Sequence, residues 1–187
     1  MDISEKRQTD IKELLRKGVG LLLYVAIVLA LAITVRTFLM QRVIVDGDSM
    51  NETLYDGDNL FICPLSHYTG SIDRFDVVVF KYAYETDTYL IKRVIGLPGE
   101  TVKIDEFGTI LIDGQVLNEH YGLEKIADPG VAGNAITLGE DEFFVLGDNR
   151  NNSMDSRDPK VAAVELKRIK GTVFWRVTPF SDFGAVK

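Results

Sequence analysis

The chain has 187 residues, enough for one domain with a small appendage, and 46% of them are hydrophobic, which is the composition of a folded protein. A net charge of −7 excludes a general nucleic-acid binder, because phosphate recognition needs a basic surface. The single cysteine, Cys63, excludes an intrachain disulfide and a thiol-rich metal site.

Residues 1–17 carry Lys6, Arg7, Lys12, Arg16 and Lys17 against Asp2, Glu5, Asp10 and Glu13, and read as a polar tail in water. From Val19 to Val35 no charge occurs; Arg36 interrupts, and Thr37–Met40 continues the apolar character. About 20 apolar residues span a bilayer as a helix, and an arginine near one end can extend to the interface. A cleavable signal sequence is the competing reading, but the polar segment before the run is long and no Ala-x-Ala closes it. The expected organisation is a cytoplasmic tail over 1–17, an uncleaved anchor over 18–40 and an extracytoplasmic catalytic domain over 41–187. The excess of basic residues before the run gives that orientation.

Beyond the anchor the pattern changes to short β segments. Strands are expected over Gln41–Val45, Asp58–Pro64, Asp76–Tyr82, Thr88–Ile95, Thr101–Ile104, Gly108–Ile112, Gln115–Leu117, Glu142–Leu146 and Gly171–Val177. Lys160–Ile169 reads as a short helical or extended connector. The Gly- and Pro-punctuated segment 118–140 reads as a small inserted surface excursion. The fold class is therefore mainly β, a barrel- or sandwich-like domain behind a single transmembrane helix.

Three polar stretches carry the chemistry. Asp46–Leu54 places Ser49 in a Gly-containing turn. A serine hydroxyl needs a base, and His67 and His120 have no supporting sequence context, although a triad is assembled in space and not in sequence. Lys92 lies in Leu90-Ile91-Lys92-Arg93-Val94, where alternation puts Leu90, Lys92 and Val94 on one strand face. Burial among apolar neighbours lowers a lysine pKa, as a lysine base requires; Arg93 points the other way and stays charged. In Gly147–Arg157, Ser153 and Ser156 are hydroxyls able to aim a neutral lysine, while Asp148, Asp155 and Arg157 suggest one carboxylate–guanidinium clamp. Taken singly, a strand lysine is usually a surface group and an Asx/Ser-rich loop an ordinary turn.

Together these stretches resemble the bacterial type I signal peptidases, in their compact Gram-positive form, from the anchor to near the C-terminus. The family box Ser-Met-x-Pro-Thr-Leu is similar to Ser49–Leu54, with Glu52 in place of proline. Gly57-Asp58, Arg74–Phe80 (with Phe75 for a glycine), Lys92–Glu100, Gly147–Arg157 and Gly171–Phe180 follow in the family order. The resemblance implies a membrane-bound serine endopeptidase that removes signal peptides from exported preproteins after small residues in an Ala-x-Ala-like pattern. It implies Ser49 as nucleophile and Lys92 as general base, with Ser153 hydrogen-bonded to the lysine amine and Asp148, Asp155 and Arg157 as support. The Ser49 backbone N–H would serve the oxyanion. Gly47 stands where Gram-negative members carry a second, hydroxyl donor. Val45, Met50, Leu54, Leu90 and Ile91 match the apolar positions of the substrate pockets; core packing is the alternative for them.

No metal or organic cofactor is implied. The expected partners are signal-peptide-bearing preproteins and the lipid bilayer of a bacterial cell membrane, with no nucleic acid, and the enzyme is expected to act as a monomer. Glu52 frees the turn beside the nucleophile and adds a charge. The rival reading is a dedicated relative serving surface pilin maturation or assembly, with or without proteolysis.

Overall fold

The computed structural model describes residues 3–69 and 71–186, with side chains from residue 12 onward except that of His67. The environment of the His67 side chain therefore lies outside the described residues, whereas His120 is exposed. The chain divides into two compact units, Met1–Leu39 and Met40–Lys187.

The first unit is helix α1, Ile3–Thr34, followed by a π-helical turn at Val35–Leu39. The run has no proline and is rich in leucine and alanine, so nothing breaks the helix between the polar tail and the apolar segment. Its 32 residues give about 48 Å at the α-helical rise. Lys12–Leu39 is long and apolar enough to cross a membrane, and none of it is buried within the protein. A helix apolar on every side has no face to turn to water, which is the pattern of a segment solvated by lipid.

Among the described residues the second unit holds twelve strands. They are β1 (Gln41–Ile44), β2 (Asn59–Cys63), β3 (Val77–Lys81), β4 (Tyr89–Gly96), β5 (Thr101–Ile104), β6 (Ile110–Ile112), β7 (Gln115–Val116), β8 (Ile136–Thr137), β9 (Glu142–Leu146), β10 (Val164–Glu165), β11 (Ile169–Thr178) and β12 (Gly184–Ala185). A short helix, α2 (Leu65–Thr69), follows β2. The larger sheet runs β1-β2-β11-β3-β4-β9-β10, with β12 beside β11; the smaller runs β7-β6-β5-β8. The mainly β expectation holds, and the expected strands match the main ones to within a residue or two at most ends; β11 runs longer than expected. The unpredicted pieces β8, β10 and β12 are two residues each, too short for a period-2 pattern to register.

The strand β3 organises the core. Val77–Phe80 is buried on both faces, as a continuous apolar run predicts for a central strand. Val78 and Phe80 pack with Val94, Val145, Val164 and Ile169 on one side. Val77 and Val79 pack with Val45, Met50, Leu54, Leu60, Ile62 and Val173 on the other. A third cluster joins the sheets, setting Ile95, Phe144 and Leu146 against Val102, Ile104 and Ile110. The segment 118–140 departs from a pure surface excursion. Ile126, Ala132 and Leu138 are buried in that third cluster, and β8 pairs with β5. Those three apolar residues stand six apart in a Gly- and Pro-punctuated stretch, a spacing too wide to register as the helical or strand period of one short element.

β11 passes close beneath the β2–α2 connection, and a Cβ at Gly171 would sit 2.5 Å from the Cys63 carbonyl oxygen, with backbone on both sides of the clash. Gly171→Ala is expected to destabilise the fold by about 1–3 kcal/mol, the usual cost of overpacking. The check is the denaturant midpoint of the full-length protein in detergent, at unchanged slope.

Candidate active site

After β1 the chain makes a tight turn. Gly47 adopts φ +91°, a left-handed conformation natural to glycine, and its N–H is held by the Asp56 carboxylate at 2.9 Å. The turn then coils, with the Thr53 and Leu54 N–H groups both donating to the Met50 carbonyl at 2.9 and 2.8 Å. Ser49 stands at the head of this coil. Glu52 is exposed on it, so its charge lies in water.

Lys92 reaches Ser49 from β4. It pairs with Val78 and shares the face of Leu90 and Val94, as strand alternation predicts. Lys92 is 2% exposed. Its Nζ lies 2.7 Å from Ser49 Oγ and 2.8 Å from the Ile91 carbonyl oxygen, to which it donates. Loss of hydration lowers its pKa from the ordinary lysine value to about 8; the Asp155 and Asp148 carboxylates oppose the shift. About a tenth of this amine is therefore neutral at pH 7, far more than for an ordinary lysine, and that fraction can accept a proton from the hydroxyl it touches.

The Gly147–Arg157 loop and Arg93 lock this pair in place through two separate ion pairs. The single clamp expected of Asp148, Asp155 and Arg157 is not what forms. Asp148 pairs instead with Arg93, at 2.7 Å to Nη2 and 2.9 Å to Nε, with both side chains fully buried. Strand alternation is the cause: next to Lys92, Arg93 points to the opposite face, where it needs a carboxylate. Thr53 Oγ1 donates to Asp148 at 2.6 Å, Arg93 Nη1 donates to the Phe75 carbonyl at 2.7 Å, and the Tyr121 ring covers the guanidinium at 3.8 Å. Asp155 and Arg157 form their own bidentate pair, with two contacts of 2.8 Å. Asp155 also accepts the Gly147 N–H at 3.1 Å, and Asn149 donates through its backbone N–H to the Ser49 carbonyl and through its side chain to the Asp48 carbonyl, both at 3.1 Å. A Cβ at Gly147 would collide with the Ser49 carbonyl and the Ser153 hydroxyl, so glycine is what lets the loop close on the turn.

Two hydroxyl expectations need correction. Ser156 does not face the lysine: it is buried and bonds the Val145 N–H at 3.0 Å, tying the loop to β9. Ser153 lies beside the site, but its Oγ is buried with no hydrogen-bond partner among the described residues, so the expected bond to Lys92 is not formed. The Lys92 amine is turned instead to Ser49 and to the carbonyl of its own preceding residue.

A cleft of about 270 Å³ opens at the dyad. Val45, Met50, Leu90 and Ile91 line it as expected. Leu54 does not; it is fully buried with Leu60 and Ile62 and supports the cleft from behind. A larger cavity of about 600 Å³ lies across the Gly147–Arg157 loop, but its guanidinium groups, on Arg150 and Arg157, are already paired with Glu119 and Asp155. Sequence reading missed the supports at a distance. Arg176 donates to Asp58 at 3.0 Å and to the Thr53 carbonyl at 2.8 Å, joining the Gly57-Asp58 and Gly171–Phe180 boxes under the turn that carries Ser49. The signal was present in both boxes, but only the pairing of β11 with β2 brings them together.

A hydroxyl touching a desolvated amine at the foot of an apolar cleft is the arrangement of a serine peptidase that does without histidine. Residues 18–178 match the family model for signal peptidase, peptidase S26. A signal peptidase I of Bacillus licheniformis is 35% identical over 96% of this chain and 97% of its own length. A signal peptidase I P of Bacillus subtilis subsp. natto is 39% identical over 72% of this chain and 75% of its own. A crystal structure of a signal peptidase I from Enterococcus faecalis V583 is 32% identical and superposes with a TM-score of 0.46, covering 55% of this chain and 96% of that one. The chain belongs to the signal peptidase family, peptidase S26.

The depressed pKa of Lys92 has a sign for stability. Below about pH 8 the folded state holds a buried ammonium and carries the full penalty. Between about 8 and the ordinary lysine value the folded state sheds that proton while the unfolded chain keeps it, so stability rises with pH. Lys92→Met is therefore expected to stabilise the protein at pH 6 by up to about 3 kcal/mol, an advantage that vanishes above about pH 10.5. Parallel denaturation curves of the two proteins across pH measure it.

Proposed function

We propose that this enzyme uses Ser49 as nucleophile and Lys92 as general base to remove signal peptides from exported preproteins. The observation that carries this reading is the 2.7 Å contact between Ser49 Oγ and an almost fully buried Lys92 Nζ. Neutral Lys92 takes the hydroxyl proton as Oγ attacks the carbonyl carbon of the scissile bond. The tetrahedral oxyanion is met by the Ser49 backbone N–H, which donates to no other group among the described residues. Collapse expels the amine of the mature protein, which takes a proton from Lys92, and leaves the signal peptide esterified to Ser49. Lys92, neutral again, activates the water that hydrolyses the ester. Asp155, Arg157, Asp148 and Arg93 hold the loop and turn that set this geometry.

Open strand edges support the substrate assignment. β9 pairs with β4 only from Arg93 onward, so among the described residues no strand covers Tyr89–Lys92 on that side. β1, which ends against the cleft, is the terminal strand of its sheet. A substrate strand laid along these edges gains backbone hydrogen bonds and points its alternate side chains, the first and third before the cut, to one side. Val45, Met50, Leu90 and Ile91 leave little depth there, which suits small residues. Gly47 has its N–H tied to Asp56, so it supplies no second oxyanion donor. The relatives are signal peptidases I, and the dedicated pilin reading gains no support from them. The enzyme is anchored by α1 with the N-terminus cytoplasmic and the catalytic unit outside.

Ser49→Ala, Lys92→Ala and Lys92→Arg are each expected to lose at least about three orders of magnitude in cleavage of an Ala-x-Ala preprotein, since arginine cannot be deprotonated. Wild-type kcat/KM is expected to rise as pH increases through about 8 and then level, because the neutral amine is the active form. Full activity in a folded Lys92→Arg protein would end the assignment. The orientation is tested separately: protease added to intact spheroplasts is expected to digest the region after Met40, and its protection would reverse the topology.

A further inference from the structure

The cleft holds a cation that the reaction above does not use. Lys170 lines it together with Tyr89. The placement has a cause in the sheet. β11 and β3 pair Ile169 with Phe80 and Gly171 with Val79, so two steps on β11 face one on β3 and Lys170 is the extra residue. Such a bulge re-aims the side chain it carries. Here Lys170 Nζ lies over the Tyr89 ring, 4.5 Å from its centroid. An aromatic face holds an ammonium in position without neutralising its charge. No carboxylate among the described residues is within ion-pair distance of it. The other charged residue of the cleft outside the dyad is Asp46, close to Ser49 in sequence, at the nucleophile end.

Tyr89 stands three residues before Lys92 on β4, about 10 Å along the strand. A peptide extended along the open edge parallel to β4, with its scissile bond at Ser49, brings to Lys170 a side chain about three to five residues before the cut. We propose that Lys170, propped on Tyr89, is a specificity residue that reads charge at this remote end of the cleft, accepting neutral or acidic residues and rejecting basic ones. This inference rests on the signal-peptidase reading and adds to it a filter on the polar segment that precedes the cleavage site.

The test uses the full-length enzyme in detergent micelles. The substrates are preprotein peptides with one constant Ala-x-Ala site carrying Lys, Gln or Glu at the third, fourth or fifth residue before the cut. For the wild type, Lys at one of these positions is expected to lower kcat/KM about tenfold relative to Gln, and the difference should shrink as salt is raised to about 0.5 M. Lys170→Met should erase the preference, Lys170→Glu should reverse it, and Lys170→Arg should keep it, each read as the ratio of Lys, Glu and Gln peptides within one enzyme. Tyr89→Leu, which removes the prop, should weaken the preference without reversing it. The same charge preference in wild type and Lys170→Met would overturn the proposal. So would equal losses on every peptide in Lys170→Met and Lys170→Arg, which would mark a structural role. Failure of the wild type to cleave even the Gln peptides would overturn the signal-peptidase reading beneath it.

Discussion

Burying a lysine ammonium is costly, and Lys92 is only 2% exposed. Much of the catalytic unit can be understood from that constraint. The amine is almost fully buried, and among the described residues no carboxylate bonds it directly; its partners are a hydroxyl and a carbonyl. A direct ion pair would have held the proton on the amine and undone the role proposed for Lys92. The nearby carboxylates, Asp148 and Asp155, are each engaged by a guanidinium, which weakens their pull on Lys92 without removing them from the site. Desolvation remains the larger influence and leaves the pKa near 8.

This arrangement divides the labour between neighbouring residues. Lys92 and Arg93 are adjacent on one strand and point to opposite faces. On one face the proton is held loosely and can move. On the other, Arg93 finds a bidentate carboxylate, a carbonyl and an aromatic ring. Asp148 in turn accepts from Thr53, four residues past the nucleophile, so the permanent ion pair positions the turn that carries Ser49. Arg176 holds the same residue through its carbonyl while paired with Asp58. The reactive pair is soft in charge and the frame around it is fixed in charge.

Much of this was legible in the sequence, and the limits have physical causes. The apolar run before Arg36 and the alternation around Lys92 gave the helix and the face of the base, because both patterns are local. The partner of Asp148 was misread because its own loop offers Arg157 a few residues away, whereas Arg93 is distant in sequence and brought near by the pairing of β4 with β9. Ser153 and Ser156 are both hydroxyls in one loop, and nothing local says that Ser156 turns to β9. Leu54 and Met50 share the turn of the nucleophile, yet one faces the core and the other reaches the cleft. The bulge at Lys170 has no sequence signal at all, since an extra residue is extra only relative to the strand beside it.

The cleft itself follows from unfinished pairing. β1 ends its sheet, and β4 outruns β9 by the four residues Tyr89–Lys92. Exposed edges of this kind are normally a hazard, because any extended chain can add to them. Here one edge ends at the dyad, so a chain that adds to it arrives with its backbone aligned before any side chain is read. Backbone hydrogen bonds are indifferent to sequence, which suits an enzyme that removes signal peptides of differing sequence. Selectivity must then come from what the walls exclude. Shallow apolar walls exclude bulk next to Ser49 and Lys92, and in the reading proposed above the charge of Lys170 sorts extended chains farther along.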